Sequence, residues 1–295
     1  ERVTADPDSN QRPTPPARGD VLQRALIPIP ETVHQAFGPY LEMMQLLGQR
    51  TAQMHIALAA DRRNAAFAPE RMTQLYQRSL YQSLRNTLRI GLRAAAREIA
   101  AVTDPQLREA VLALVARESE ILTYLKTIVE KPITSDRIRI HGDYHLGQVL
   151  FTGRDFVIID FEGEPARPLG ERRIKRSPLR DIAGMLRSLQ YATYSTLHDQ
   201  VERGFVTPGQ PHHAALEERL AWWLDWSSSA VLNGYLETAG EESFVPDNPD
   251  DIRTLLDAFL LEKAVYELGY EMNNRPAWVG IPLAGITQVL DRYER

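Results

Sequence analysis

Two short apolar runs around a glycine-containing turn, within residues 137–162, constrain the fold more than any other feature of this chain. The runs cover 149–151 and 156–159, and the turn between them is Thr-Gly-Arg-Asp at 152–155. Apolar runs that flank a short turn with glycine predict a β-hairpin. Arginines alternate with isoleucines at 137–140, which predicts a short half-buried strand just before a loop.

The register of this hairpin decides which polar side chains meet at its open end. If Phe151 lies opposite Phe156, then Gln148 falls opposite Ile159 and beside Asp160. An amide oxygen next to a carboxylate suits Mg²⁺, a hard cation that prefers oxygen ligands and is often bound together with phosphates. The hairpin therefore predicts that Gln148 and Asp160 hold a magnesium ion beside nucleotide phosphates.

A further polar group precedes the hairpin, in the loop His141-Gly142-Asp143. Asp143 is placed to accept the proton of an attacking hydroxyl and to orient that hydroxyl. Protein kinases use His-Arg-Asp, an asparagine five residues later, and Asp-Phe-Gly for these tasks. Here Gln148 replaces the asparagine, and Asp160-Phe161-Glu162 replaces Asp-Phe-Gly. The pattern favours phosphoryl transfer, in which positioning and charge neutralisation supply most of the catalysis.

Two other interpretations of these residues are weaker. A lone His-Gly-Asp would indicate an ordinary buried polar loop, but four polar residues in register around a hairpin favour a functional site. The run from Gly142 to His145 also resembles the Gly-Asp-x-His motif of metallophosphoesterases, which need further Asp, Asn and His clusters downstream. No Gly-Asn-His follows in this chain.

Longer motifs closely resemble the bacterial maltokinases, which belong to the aminoglycoside-phosphotransferase branch of the protein-kinase-like fold. The segments that carry the resemblance are His-Gly-Asp-Tyr-His-Leu-Gly-Gln at 141–148, Ile-Asp-Phe-Glu-Gly-Glu-Pro-Ala-Arg-Pro-Leu at 159–169, and Lys-Arg-Ser-Pro-Leu-Arg-Asp-Ile-Ala-Gly-Met-Leu-Arg-Ser at 175–188. Upstream, Leu-Tyr-Gln-Arg-Ser-Leu-Tyr-Gln-Ser at 75–83 is similar to the form fused behind trehalose synthase. The resemblance covers roughly residues 20–295.

The resemblance implies ATP-dependent phosphorylation of maltose at its anomeric hydroxyl, which gives maltose 1-phosphate. It implies that Asp143 is the catalytic base, that Gln148 and Asp160 bind the metal and nucleotide, and that Glu162 lies beside the metal or the sugar. It also implies that Asp181 braces the catalytic loop through backbone hydrogen bonds. We expect His141 and His145 to support the loop without touching the reacting groups.

The phosphate-binding half of a kinase site is missing from the sequence. Before Asp143 the glycines are isolated, so no Gly-x-Gly-x-x-Gly motif exists there, and the lysines are Lys126 and Lys131 at the end of a helical stretch. The chain also begins with Glu1. We therefore expect the C-terminal lobe of a longer protein, with its N-lobe absent and with little activity alone. A degenerate pseudokinase is the alternative, which the intact catalytic motifs disfavour.

Composition excludes several classes of function. A net charge of −5 and a pI near 5.9 disfavour nucleic acid as the main partner. The chain has no cysteine, which excludes disulfides and thiolate metal sites. No apolar run approaches the length of a membrane span and no signal peptide is recognisable. These features predict a soluble cytoplasmic protein without a membrane partner.

The organisation along the chain predicts an α+β fold that is mostly helical, the C-lobe of a kinase-like protein. Residues 1–19 are polar and rich in proline, which predicts a linker. Helical periodicity then dominates 20–295, apart from an extended lead-in at 20–30 and the hairpin. Asp104-Pro105 marks a helix start, and that helix is expected to run to about Glu130. The basic loop 167–176 is either a solvated charge run or a surface that faces phosphate or a partner domain.

The helical segment 250–295 is the predicted sugar-binding part. Lys263, Tyr266 (or Glu267), Tyr270 and Asn274 recur at helical spacing and share one face that is both polar and aromatic. Periodicity alone favours ion pairs on a helix surface. The resemblance favours a sugar site instead, formed by Lys263, Tyr266, Tyr270 and Arg275.

Three function hypotheses remain from the sequence. The first is a maltokinase lobe, which needs its N-lobe for activity. The second is a related kinase for another sugar or an aminoglycoside. The third is a non-catalytic carbohydrate-binding or scaffold module attached to trehalose synthase.

His55 is expected to be a core histidine, and Trp222, Trp223 and Trp226 are expected to pack in the core.

Overall fold

A computed structural model of the protein describes residues 20–293, and this part of the chain is mostly helical. The predicted linker at 1–19 lies outside the described residues. The helices are α1 Val21–Ala25, α2 Glu31–Ala59, α3 Gln74–Arg97, α4 Pro105–Ala116, α5 Glu118–Lys126, α6 Leu169–Arg172, α7 Leu179–Glu202, α8 Pro211–Ala239, α9 Pro249–Asn274 and α10 Gly280–Tyr293. The strands are β1 Glu70–Arg71, β2 Asp136–Arg137, β3 Val149–Phe151 and β4 Phe156–Ile158.

The chain divides into two compact units, and helices α2 and α8 pack closely within the first. This unit comprises residues 20–53, 149–158 and 188–239 among those described. A side chain added at Gly48 would run into the carbonyl oxygen of Val231, and one added at Gly234 would run into that of Gln45. Because only glycine lets two helix backbones approach so closely, these two positions fix how α2 and α8 cross.

Aromatic residues fill the core of the first unit. Trp226 and Tyr235 are fully buried, and Trp222 packs edge-to-face on Phe37 with ring centroids 5.3 Å apart. Such pairs contribute to stability beyond the area they bury. The predicted core packing is therefore confirmed for Trp226, whereas Trp222 and Trp223 are only half-buried.

The predicted hairpin is also present in the first unit. Strands β3 and β4 pair antiparallel with Phe151 opposite Phe156, which is the predicted register. Arg50 of α2 donates two hydrogen bonds to the Asp155 carboxylate in the turn, at 2.8 and 3.1 Å. Leu150 and Val157 lie opposite each other on the hairpin and are about half exposed. The hairpin thus presents an apolar pair to its surroundings.

Helix α9 is the centre of the second unit, which comprises 54–148, 159–187 and 240–293 among the described residues. It packs along α3 and α10, with Leu261 and Leu268 fully buried. A side chain at Gly91 of α3 would run into Val265 of α9, so these helices also approach closely. Asn248 caps α9 by accepting a hydrogen bond from a backbone N–H, followed by a proline at the first helical position.

Three local predictions need correction. The lead-in at 20–30 contains helix α1, because Asp20 caps it and its apolar side chains are buried. The helix that begins after Asp104 ends at Ala116, and a second helix and a 3₁₀ turn complete the stretch to Val129. The strand expected at 137–140 is reduced to β2 and one isolated bridge, Ile138 to Arg176.

Among the described residues, no helix combines the length and the apolar character that a membrane crossing requires.

Candidate active site

The catalytic loop is braced by the buried carboxylate of Asp181, in the first turn of α7. Asp181 accepts hydrogen bonds from the backbone N–H groups of His141 and Gly142, at 2.7 and 3.0 Å. The Nε2 atom of His55 lies 3.1 Å from the same carboxylate. Burial would raise the pKa of Asp181, but the hydrogen bond and charge of His55, with the loop contacts, hold that pKa below its ordinary value. Asp181 therefore stays ionised and fixes the loop, as the resemblance implies.

The ring of His141 connects the catalytic loop to the residue before Asp160. Its Nε2 atom lies 2.8 Å from the carbonyl oxygen of Ile159, which can only accept, so Nε2 carries the proton. Its Nδ1 atom then accepts the backbone N–H of Asp143 at 3.4 Å. A neutral imidazole with one defined tautomer thus joins the two predicted catalytic segments, and the supporting role predicted for His141 agrees with this geometry.

Asp143 lies at the mouth of the loop with its carboxylate largely free. Its side chain is 16% exposed, and among the described residues it accepts no hydrogen bond. Lys263 Nζ lies 4.0 Å from Oδ1, and His145 Nε2 lies 4.0 Å from Oδ2. These distances exceed hydrogen-bond length and leave room for a substrate oxygen beside each carboxylate oxygen. The carboxylate is therefore open to accept a proton from a hydroxyl.

Gln148 and Asp160 meet at the open end of the hairpin, as the register predicts. Gln148 Nε2 donates to Asp160 Oδ2 at 2.9 Å, and the backbone N–H of Ile159 donates to the Gln148 carbonyl oxygen at 3.0 Å. Asp160 has a φ of 64°, in the left-handed region that only glycine adopts freely. Strained backbone of this kind is concentrated at functional sites. Glu162 is 76% exposed and its carboxylate lies 3.9 Å from Arg172.

Gln148 and Asp160 could supply two of the ligands that a Mg²⁺ ion needs. The Gln148 amide nitrogen faces the Asp160 carboxylate, so the amide must turn over before its oxygen and the carboxylate can both serve as hard oxygen ligands. No group of three or more His, Asp or Glu residues suited to a metal occurs in the part of the chain that the structure describes. Mg²⁺ is commonly held by one or two carboxylates together with substrate phosphates, so two protein ligands are sufficient.

A cavity of about 250 Å³ adjoins Asp143 in the second unit. Its polar lining includes Thr87 of α3, Glu164 of the loop after the hairpin, and Lys263 and Tyr266 of α9. Among the described residues, none of these four side chains makes a hydrogen bond. The cavity thus offers two hydroxyls, a carboxylate and an ammonium to a polar ligand beside Asp143, the predicted base.

The phenol of Tyr266 remains a hydrogen-bond donor in this cavity. Partial burial, and then the nearby carboxylates of Glu164 and Asp143, raise the pKa of Tyr266 above its ordinary value. A phenol that resists ionisation can donate to a hydroxyl or ring oxygen of a sugar.

An ion pair forms one wall of the cavity. Arg180 donates two hydrogen bonds to Glu262, at 2.5 and 3.0 Å, and both side chains are largely buried. Burial would lower the pKa of Arg180, but Glu262 raises it above its ordinary value. Arg167 Nη2 also approaches Glu262, at 3.8 Å. The charges of this wall are therefore satisfied within the protein and not free for a ligand.

Two of the four predicted sugar residues line the cavity. Lys263 and Tyr266 do so, whereas Tyr270 and Arg275 are not among its lining residues. Arg275 donates two hydrogen bonds to Glu271, at 2.9 and 2.7 Å, and lies over Trp278. This arrangement follows helical spacing, since positions 271 and 275 are one turn apart. A sugar contact by Tyr270 or Arg275 stays a prediction.

Most cations of the basic loop are used within the protein. Arg172 donates to the carbonyl oxygens of Pro165 and Arg167, and Lys175 is buried against Ala65 and Glu70. These contacts favour the structural interpretation of the loop for Arg172 and Lys175.

Sequence reasoning missed several residues of the site. His55 was expected only in the core; it is fully buried, but its partner is the aspartate that braces the loop. Thr87 and Glu164 lie 77 positions apart and meet only through the tertiary structure, so no local pattern could reveal them. One sequence feature could have indicated Glu164, namely its position two residues after Glu162, a predicted site residue.

One family model and several known proteins are similar to this chain or to part of it. The model of the phosphotransferase enzyme family, APH, matches residues 20–163. A glucosamine kinase from Streptacidiphilus jiangxiensis is 26% identical over 262 residues, which are 88% of this chain and 51% of the relative. A glucosamine kinase from Mycolicibacterium smegmatis is 32% identical over 155 residues, which are 51% of this chain and 34% of the relative. The chain thus spans about half, or less, of the length of these relatives.

Solved structures show the same fold. A glucosamine kinase structure matches with a TM-score of 0.64 at 23% identity, covering 93% of this chain and 58% of the other. A glucosamine kinase in complex with glucosamine, ADP and inorganic phosphate matches with a TM-score of 0.64 at 22% identity, covering 92% of this chain and 56% of the other. Residues 20–163 therefore match the phosphotransferase enzyme family, and the described chain has the fold of a kinase-like phosphotransferase.

Proposed function

We propose that this chain is the catalytic and acceptor-binding part of an ATP-dependent sugar kinase. The observation that carries the proposal is the carboxylate of Asp143, which accepts no hydrogen bond among the described residues and adjoins a polar cavity lined by hydroxyl, carboxylate and ammonium groups. Proteins bind sugars with such groups because a sugar presents many hydroxyls that both donate and accept hydrogen bonds. The match to the phosphotransferase enzyme family supports the same reaction class.

In the proposed reaction, a sugar hydroxyl attacks the γ-phosphorus of ATP while the bond to the bridging oxygen breaks, giving a sugar phosphate and ADP. Asp143 orients the hydroxyl and takes its proton. Asp181 keeps the loop in place through the backbone of His141 and Gly142. Gln148 and Asp160 would hold Mg²⁺, which neutralises phosphate charge when bound.

We propose maltose as the acceptor, phosphorylated at its anomeric hydroxyl. The resemblance of the catalytic motifs supports maltose, and so does the presence of Lys263 and Tyr266 in the cavity. Glucosamine is the second candidate, because relatives in both comparisons are named glucosamine kinases. A carbohydrate-binding module without catalysis, attached to a trehalose synthase, is the third.

Sugar-dependent release of ADP by the full-length gene product, with Mg²⁺, tests the proposal. The full-length product is used because this chain spans about half, or less, of the length of the glucosamine kinases that it matches. We expect ADP release with maltose and a loss of about 10²- to 10⁴-fold in kcat for Asp143→Asn. Faster turnover with glucosamine would replace maltose by the second candidate.

If the folded full-length product released no ADP with any sugar, the kinase proposal would be wrong. Binding of maltose to this chain, measured by calorimetry, then separates the third candidate from the others. Sugar binding without ATP binding would indicate a carbohydrate-binding module.

A further inference from the structure

His145 holds its ring in one defined orientation beside the catalytic aspartate. The backbone N–H of Gly147 donates to His145 Nδ1 at 3.0 Å. A backbone N–H can only donate, so Nδ1 is an acceptor, and in the neutral ring the proton lies on Nε2. The orientation of the ring and its tautomer are thus both set by the loop backbone.

Gly147 is what allows the ring to lie in this place. A Cβ atom at position 147 would lie 2.8 Å from Cε1 and 2.9 Å from Nδ1 of His145, closer than real side-chain contacts. Any larger residue at 147 would therefore push the ring away from its present position. The glycine is needed for space, since its backbone is not among those with positive φ.

The Nε2–H group of His145 lies beside the Asp143 carboxylate and has no hydrogen-bond partner among the described residues. It lies 4.0 Å from Asp143 Oδ2, on the side of the carboxylate away from Lys263, which approaches Oδ1. The side chain is 39% exposed, so a ligand can reach it. In the chain His145 stands between the proposed base, Asp143, and the proposed metal ligand, Gln148.

We propose that His145 is a further catalytic residue, which donates a hydrogen bond from Nε2 to a non-bridging oxygen of the transferring γ-phosphoryl group. This role rests on the proposed kinase function. The acceptor oxygen bonds to phosphorus, the bond to the bridging oxygen of ADP breaks, and the hydroxyl proton passes to Asp143. His145 keeps its own proton throughout. A fixed donor aimed at developing phosphoryl charge stabilises the transition state without reorganising during the reaction.

Two substitutions distinguish this role from a structural one. Asparagine at 145 places an oxygen where Nδ1 now accepts the Gly147 N–H, because Asn side chains form such turns with the residue two positions on. It has no donor at the position of Nε2. The longer side chain of glutamine brings an amide N–H to the position of Nε2. It does not place an oxygen where Nδ1 now accepts the Gly147 N–H.

We expect His145→Asn to lower kcat of the full-length gene product by about 10²- to 10³-fold, with little change in the KM for the sugar. His145→Gln is expected to retain at least threefold more kcat than His145→Asn. Equal kcat for the two variants, a higher kcat for His145→Asn, or a wild-type kcat for His145→Asn would overturn the role. Inactivity of the unchanged enzyme with every sugar would instead overturn the proposed function, and this role with it.

A measurement without turnover tests the same geometry. In this chain labelled with ¹⁵N-histidine, long-range NMR couplings identify the tautomer of each ring, and the signal lost in His145→Asn is that of His145. We expect the Nε2–H tautomer, and a shift of this signal when ADP, Mg²⁺ and inorganic phosphate are added to the full-length product. An Nδ1–H tautomer, or a His145 signal that does not shift when these ligands are added, would contradict the proposal.

Discussion

His55 Nε2 lies 3.1 Å from Asp181 Oδ2, and both side chains are fully buried. Asp181 in turn accepts the backbone N–H groups of His141 and Gly142. A core contact between two helices thereby determines where the catalytic loop lies. The pair connects the packing of the second unit to the position of the proposed base.

Replacing His55 by leucine should destabilise the protein, because a buried carboxylate loses its side-chain donor. We expect a loss of about 2–4 kcal/mol, since breaking one partner of a buried charged pair is costly even when backbone donors remain. Urea unfolding of this chain measures it. His34→Leu is the control, because His34 is exposed in α2. A stability equal to that of the unchanged chain would contradict this account of Asp181.

The same carboxylate predicts how stability depends on pH. The pKa of Asp181 is lower in the folded protein than its ordinary value of about 4. Its contribution is therefore fully present above the ordinary pKa and is lost as the pH falls through the lower folded pKa. We expect the fall in stability between about pH 5 and pH 3 to be shallower in Asp181→Asn than in the unchanged chain. If the two proteins lost stability with the same slope against pH, Asp181 would not be the cause of this pH dependence.

The sequence was sufficient to predict the hairpin and its register, because alternating burial and turn chemistry act over a few neighbouring residues. Phe151 lies opposite Phe156 and Gln148 meets Asp160, as the pattern required. The cap at Asp104 was likewise local, and its side chain accepts two backbone N–H groups. These features need no knowledge of the rest of the chain.

The cavity could be predicted only in part, because its lining comes from distant segments. Lys263 and Tyr266 share one helix face, which periodicity reveals. Thr87 joins them only after α3 has packed on α9, and Glu164 comes from the loop after the hairpin. Arg275 was predicted to bind sugar, but its guanidinium donates instead to Glu271, one helical turn earlier.

Gln148→Ala should weaken the use of Mg²⁺ more than it weakens folding. The substitution removes the amide that donates to Asp160 and, with it, one of the two proposed oxygen ligands of the ion. We expect the Mg²⁺ concentration for half-maximal ADP release by the full-length product to rise about tenfold or more, because removing a group that ligates or orients a metal commonly costs about 10- to 100-fold in affinity or activity. Gln82→Ala, at an exposed position in α3, is the matched control. An unchanged Mg²⁺ requirement would remove Gln148 from the metal site.

Gly184 of α7 lies against the catalytic loop, and its substitution tests how tightly that loop is packed. A Cβ atom at 184 would lie 2.6 Å from the carbonyl oxygen of Tyr144, a backbone atom in the loop next to Asp143. Gly184→Ala must therefore displace the loop or the helix. We expect a loss of about 1–3 kcal/mol in stability, as for other overpacked positions, together with a lower kcat.

Gly269→Ala is the matched control, because Gly269 lies inside helix α9 and a Cβ atom there meets nothing within 4 Å. Alanine is the better helix former, so this variant should be more stable by up to about 1 kcal/mol. The two substitutions add the same methyl group to two helices of the second unit, and the structure predicts opposite signs. Urea unfolding of both variants measures the difference. Stabilisation by Gly184→Ala would mean that the helix and the catalytic loop do not meet as described.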